Sequence, residues 1–185
     1  MRKDFPSNSA LFPMPVILIA TYNEDGSVDV MNAAWGCAYD VRQVFLNLSP
    51  EHKTCKNIAR TKAFSIALAD ERHVVEADYV GIVSANNTPD KFKRSGLCAV
   101  KGEKVNAPIL EDFGGIMECE LNSVTDDNCI IGDVKRLAVD TKYLDDKGNV
   151  DVSKLGIIAY DPFNHGYYVV ERKVGQAFAD GRKLK

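Results

Sequence analysis

The sequence predicts a mainly β chain, an antiparallel barrel with attached helices. Three observations carry that expectation: at least six short strand candidates, two helices that interrupt the strands rather than alternate with them, and no Gly-x-Gly-x-x-Gly after any strand. The last two argue against a doubly wound parallel sheet. With 185 residues, 45% of them apolar and 26% charged, the chain suits one globular domain spanning 1–185.

Each element has its own signal. Val16 to Thr21 is a short apolar, partly β-branched run, and Asp25-Gly26 after it favours the positive φ angles of a tight hairpin, with Val28 to Met31 returning. Gln43 to Leu48 alternates with period two, and Ala63 to Leu68 reads as another strand. Between them Ser49-Pro50 can open a helix running to about Arg60, with Ser49 as cap and Cys55, Ile58 and Ala59 facing a core. A second helix fits His73 to Val83, its stripe of Val75, Tyr79, Ile82 and Val83 expected in the core. Asp90 to Ser95 allows a short helix. Ile116 to Thr125 and Cys129 to Val139 make a long hairpin turning at Asp126-Asp127-Asn128, and Glu118 and Glu120 read as its solvated face. Asp145 to Asn149 is a polar loop, and Gly166 to Val170 a final strand before a polar tail.

Charge and composition exclude several functions. Lys and Arg total 23 against 26 Asp and Glu, a net charge of −3, so no global positive field exists to hold a nucleic acid. The longest apolar stretch, Leu11 to Ala20, is broken by Pro13 and Pro15 and is half the roughly 20 residues of a membrane span. Asp4 and Pro6 stand where a signal peptide would carry its apolar region, which makes the expected location cytoplasmic. The five cysteines form no Cys-x-x-Cys pair, against zinc or a disulfide framework, and read as small hydrophobes. Cys37 alone has a second reading, as a reactive thiol.

Three stretches could carry chemistry. In Ser49-Pro50-Glu51-His52-Lys53-Thr54 a strand gives way to a helix, so backbone N–H groups, hydroxyls and a cation can converge on a phosphate-like anion. The same spacing fits a plain helix start with His52 and Lys53 in solvent. Met31 to Tyr39 is rich in small residues and holds the only tryptophan, Trp35; it suits a planar ligand approached by backbone, or a barrel end plugged by Trp35. Ser84 to Phe92 is a third polar loop. His73 reads as a surface or capping group and His165 as part of a turn, and no Ser-His-Asp or Cys-His constellation can be assembled.

Taken together, Pro13-Met14-Pro15-Val16, Met31 to Gly36, Ser49 to Thr54 with Lys56-Asn57-Ile58, Asp78 to Ser84, Asp90-Lys91-Phe92, Val105 to Pro108 and Tyr160 to His165 resemble the flavin reductase-like FMN-binding split-barrel family, in its flavoredoxin-type members. The resemblance covers nearly the whole chain and implies a split β-barrel, a non-covalent FMN and a homodimer with flavin sites near the subunit interface. It also assigns residues. Asn32, Ala33, Ala34 and Trp35 would lie along the isoalloxazine, with backbone donors after Asn32 at its pyrimidine edge. Ser49, His52, Lys53 and Thr54 would grip the phosphate, and Ser84, Asn86 and Lys91 would approach the cofactor. Two functional classes follow: an oxidoreductase taking electrons from NADH or NADPH to flavin or another acceptor, and an electron carrier with protein partners. A non-catalytic flavin-binding protein is a third. Ala85 and Cys37 stand where many relatives have glycine, which puts the third loop in question if positive φ is needed there.

Overall fold

The computed structural model describes residues 1–5 and 11–184; Pro6 lies outside the described residues. β1 (Met14–Pro15) and β2 (Ile17–Tyr22) lead into β3 (Val28–Ala33) through a tight turn in which Gly26 takes φ +81°. β4 (Gly36–Asp40) and β5 (Gln43–Leu46) form the next hairpin, and α1 (Lys53–Thr61) is followed by β6 (Ala63–Leu68). α2 (Val74–Ile82) and α3 (Lys91–Ser95) precede a small hairpin of β7 (Ala99–Lys101) and β8 (Pro108–Leu110). β9 (Gly115–Val124) and β10 (Ile130–Val139) make the long hairpin, with Asn128 at positive φ in its turn. α4 (Val152–Leu155), β11 (Ile158–Asp161) and β12 (Gly166–Val169) complete the order, β11 pairing with both β1 and β12.

Seven strands pair antiparallel in the order β3-β2-β6-β9-β10-β5-β4. The two edge strands β3 and β4 are nevertheless joined by only Ala34 and Trp35. In a flat sheet those edges would stand about 29 Å apart, at roughly 4.8 Å per strand. Three peptide steps reach only about 10 Å. The sheet therefore curls until its edges nearly meet, and Asn47 N–H to Trp35 O (2.8 Å) carries the β4–β5 pairing up to that seam. This is the split barrel.

Both faces of β2 are covered, which explains its unbroken apolar run. Ile17 and Ile19 join Leu46, Ile58, Phe64 and Ile66 in one core, while Leu18 and Ala20 join Val30, Ala77, Val80 and Leu110 in another. Phe64 fills the first core so completely that a Cβ on Gly132 would stand 2.4 Å from its ring.

Several expectations need correcting. The helix opens at Lys53, not Pro50: residues 49–52 make a turn closed by His52 N–H to Ser49 O (3.1 Å), and Ser49 Oγ accepts weakly from Glu51 N–H rather than capping. Ala59 is exposed. The returning strand expected to end at Met31 runs on to Ala33, and β4 follows it. Trp35 is 51% exposed and plugs nothing. α2 buries Ala77 and Val80, while Val75 and Ile82 of the expected core stripe are 77% and 75% exposed. Glu118 is fully buried beneath the 102–107 loop, accepting from Lys104 and Val105 N–H (2.7 and 3.0 Å) and from Arg136 (3.0 Å). Neither Ala85 nor Cys37 has positive φ, so a missing glycine strains neither position.

Candidate functional site

The seam between β3 and β4 opens into a groove with two parts. The wider part, about 300 Å³, is lined by Asn32, Ala33, Ala34 and Trp35 on one side and by Asp78, Tyr160 and Tyr167 on the other, with Ser49 and His52 at one end. It continues past Asn32, His52 and Gly81 into a recess of about 160 Å³ walled by Asp29, Lys53, Thr54, Ser84 and Lys91. The combined size is that of a small-ligand site. A roomier gap of about 1050 Å³ between 145–153 and 170–173 is bounded mainly by exposed residues with no converging buried polar groups.

The wide part is mostly apolar with a few fixed polar atoms. Asn32 Nδ2 donates to Ala77 O (2.9 Å), which ties β3 to α2. Gly81 permits the close approach there, since a Cβ on it would sit 3.1 Å from Asn32 Cβ. Tyr167 donates to Asp78 Oδ1 (2.8 Å). Burial, then that carboxylate, push the Tyr167 phenol up to about 12, so it stays a proton-bearing donor at neutral pH. Tyr160 is tilted against Trp35 at 6.4 Å and bonds His165 Nδ1 (2.6 Å), with His165 in the left-handed turn before β12.

The recess is the polar end. Lys91, at the start of α3, is 3% exposed, and its ammonium meets Val80 O at 3.1 Å. Burial lowers its pKa and the field of Asp29 opposes that shift. Of its three N–H donors, the Val80 bond engages one. The first turn of α1 faces the same space with no side-chain cap, so its leading N–H groups remain available. Thr54 is buried, and its single hydroxyl proton goes to Asp29 Oδ2 (2.6 Å). The Thr54 side chain is therefore not a free donor; its backbone is. Asp29 Oδ1 is buried with no partner.

Of the expected residues, the groove gathers Asn32, Ala33, Ala34, Trp35, Ser49, His52, Lys53, Thr54, Ser84 and Lys91. Asn86 is not in the lining: its Nδ2 donates to Glu51 O (3.0 Å), bracing the third loop against the 49–52 turn. Sequence reasoning missed Asp29, Asp78, Tyr160 and Tyr167 as site residues. Asp78 and Tyr160 stood in segments already singled out, and Asp29 was visible as a charge between two valines of a strand. Among the described residues, no group of three or more His, Cys, Asp or Glu is placed to hold a metal, and no helix is long and apolar enough to cross a membrane.

Residues 9–153 match the model of the flavin reductase like domain. The chain belongs to that family. A protein of Aeropyrum pernix with no assigned function is 30% identical over 127 residues, covering 65% of this chain; the chain spans about half, 48%, of that relative's length. Among solved structures, flavoredoxin of Desulfovibrio vulgaris (Miyazaki F) superposes with a TM-score of 0.93 at 31% identity, over 98% of this chain and all of the other. Flavoredoxin from Methanosarcina acetivorans gives 0.89 at 21% identity over the full length of both chains. An FMN-binding domain from Shewanella baltica gives 0.78 at 18%, over 88% of each chain, a likeness of fold. This flavin reductase-like chain is thus a split-barrel flavoprotein.

Proposed function

We propose that the groove holds FMN non-covalently, its phosphate in the recess and its ring along Asn32 to Trp35. The carrying observation is Lys91, a buried ammonium with donors to spare at the closed end of a groove whose other end is apolar and aromatic. The residues suit the group. Lys53, Lys91 and the first N–H groups of α1 can bind a phosphate, with the charged side chains outweighing the helix terminus by roughly 1.5–3 against 0.3–1 kcal/mol. Ser49, His52 and Ser84 would line its approach, and Asn86 would act by holding the third loop. Tyr167 and Asp78 would face the ring as a bonded pair, the Tyr167 proton held by Asp78 and the remaining lone pairs left as fixed acceptors.

Bound FMN would supply electron transfer through its ring, and the protein's part is position and electrostatics. The chain is read as an oxidoreductase that moves electrons from NADH or NADPH to flavin or another acceptor. The alternative, an electron carrier with protein partners and slow nicotinamide oxidation, draws support from the likeness to a flavoredoxin across 98% of the chain. A homodimer is part of the same reading. Ile82 and Trp35 at the groove and Val75 on the same helix as Ile82 are exposed, and a second subunit would cover them. One domain over 1–185 accommodates all of this.

The test is a visible spectrum of the isolated protein and identification of its released chromophore, followed by stopped-flow mixing with NADH and NADPH. FMN is expected. Rapid bleaching supports the oxidoreductase, and slow bleaching with fast exchange to protein acceptors supports the carrier. Protein that neither contains nor takes up flavin contradicts both.

A further inference from the structure

The recess contains a carboxylate that its occupant ought to repel. Asp29 is 1% exposed and belongs to the wall that Lys53, Lys91 and Ser84 share; Oδ2 takes the Thr54 hydroxyl proton at 2.6 Å, and Oδ1 is buried and unpartnered. A buried carboxylate oxygen without a donor is unfavourable unless a ligand or a proton satisfies it. Formal charges point the same way. A phosphate dianion set between Lys53 and Lys91 is already balanced, so an ionised Asp29 leaves one uncompensated negative charge in a site screened from water.

We propose that a phosphate monoester binds here with one proton held between Asp29 and a phosphate oxygen, so that binding takes up one proton. This rests on the FMN reading above. In the balance, an ionised Asp29 and the dianion combine with one proton from solvent, and no bond other than the hydrogen bonds is made or broken. Thr54 positions the carboxyl group by occupying Oδ2, which leaves Oδ1 as the oxygen free to take the proton. The other titratable groups around Asp29 are His52, Lys53 and Cys55 of α1 and its turn, Lys91 of α3, and Asp78 of α2 in the adjoining cleft; β2 presents uncharged Thr21 opposite. Free phosphate monoester is a dianion above about pH 7, so a proton taken up above that is taken up on binding.

The test is FMN titration of the full chain from about pH 7.5 to 9, with riboflavin as the ligand lacking phosphate. Wild-type protein is expected to lose about tenfold in FMN affinity per pH unit, and riboflavin affinity to stay level. Asp29→Asn keeps an acceptor for Thr54 and brings an N–H donor to the phosphate. It is expected to remove the slope and to bind FMN about tenfold or more tightly than wild type near pH 9. Should that variant not fold, calorimetry of wild type in two buffers of different ionisation enthalpy still reads the uptake, expected at one proton per FMN. A flat wild-type profile, no uptake, or a slope that survives in Asp29→Asn overturns the proposal. FMN binding no tighter than riboflavin overturns the phosphate reading itself, a separate outcome.

Discussion

Glu118 and Asp29 are both carboxylates removed from solvent, and they differ in how completely they are bonded. Glu118 receives two backbone N–H groups and the Arg136 guanidinium, which itself reaches on to Glu103. Asp29 receives one hydroxyl on one oxygen and nothing on the other. A saturated carboxylate has no capacity left for a ligand and serves the fold, here by fastening the 102–107 loop onto β9. A half-satisfied one is a cost to the empty protein, tolerated where an occupant completes it.

The sharpest way to break this contrast is to remove Glu118. Glu118→Ala strands Arg136 and two N–H groups and should cost about 3–5 kcal/mol in chemical denaturation, with FMN affinity unchanged within about twofold. A large affinity loss in the folded variant would mean that the two carboxylates are not separate in role. Glu118 also predicts acid sensitivity. Burial pushes its pKa up, but the Lys104 and Val105 N–H groups and Arg136 overcome that and hold it below the ordinary value. The folded pKa lies below the unfolded one, so the stabilisation is present above about pH 4.5 and is lost as pH falls through the folded value. Denaturation midpoints from about pH 6 to 3 should show this, and Glu118→Gln should flatten it.

Next in size is Lys91→Met. Losing charge-assisted bonds worth roughly 1.5–3 kcal/mol should weaken FMN by about 10- to 100-fold and riboflavin by less than about threefold. Stability should hold or rise, because a buried ammonium with few partners is replaced by an apolar chain of similar length. Equal losses for both ligands would remove the phosphate from the recess. Thr54→Val should lower stability by about 1–2 kcal/mol by leaving Asp29 without any donor, with a smaller effect on FMN than Lys91→Met. Smallest is Asp29→Asn, expected within about 1 kcal/mol of wild type in stability because no full set of bonds is lost. A drop as large as that of Glu118→Ala would make Asp29 a structural carboxylate too.

What could be read from the residues follows from how local each signal was. The β6 strand, the Asp25-Gly26 hairpin and the long hairpin turning at Asn128 are set by alternation and turn chemistry, and they appear where expected. β4 was hidden because Gly36, Cys37 and Ala38 carry almost no β signal; that strand exists because the barrel needs an edge across the seam from β3. The α2 stripe misled because Val75 and Ile82 are apolar yet exposed, and apolar character alone does not say which face of a helix is covered. Glu118 was read as solvated because the loop that covers it lies about 14 residues upstream. In the site, Lys91 and the 49–54 segment could be found from sequence, and Asp29 stood out as a charge between two valines. Tyr167 could not, since its meaning depends on the helix it meets across the groove.

The most direct measurement is a paired equilibrium titration of the flavin-free protein with FMN and riboflavin at neutral pH. The expected result is FMN bound at least tenfold more tightly, with that preference reduced in Lys91→Met. Equal affinities for the two ligands, unaltered by Lys91→Met, would contradict a phosphate seated against Lys91.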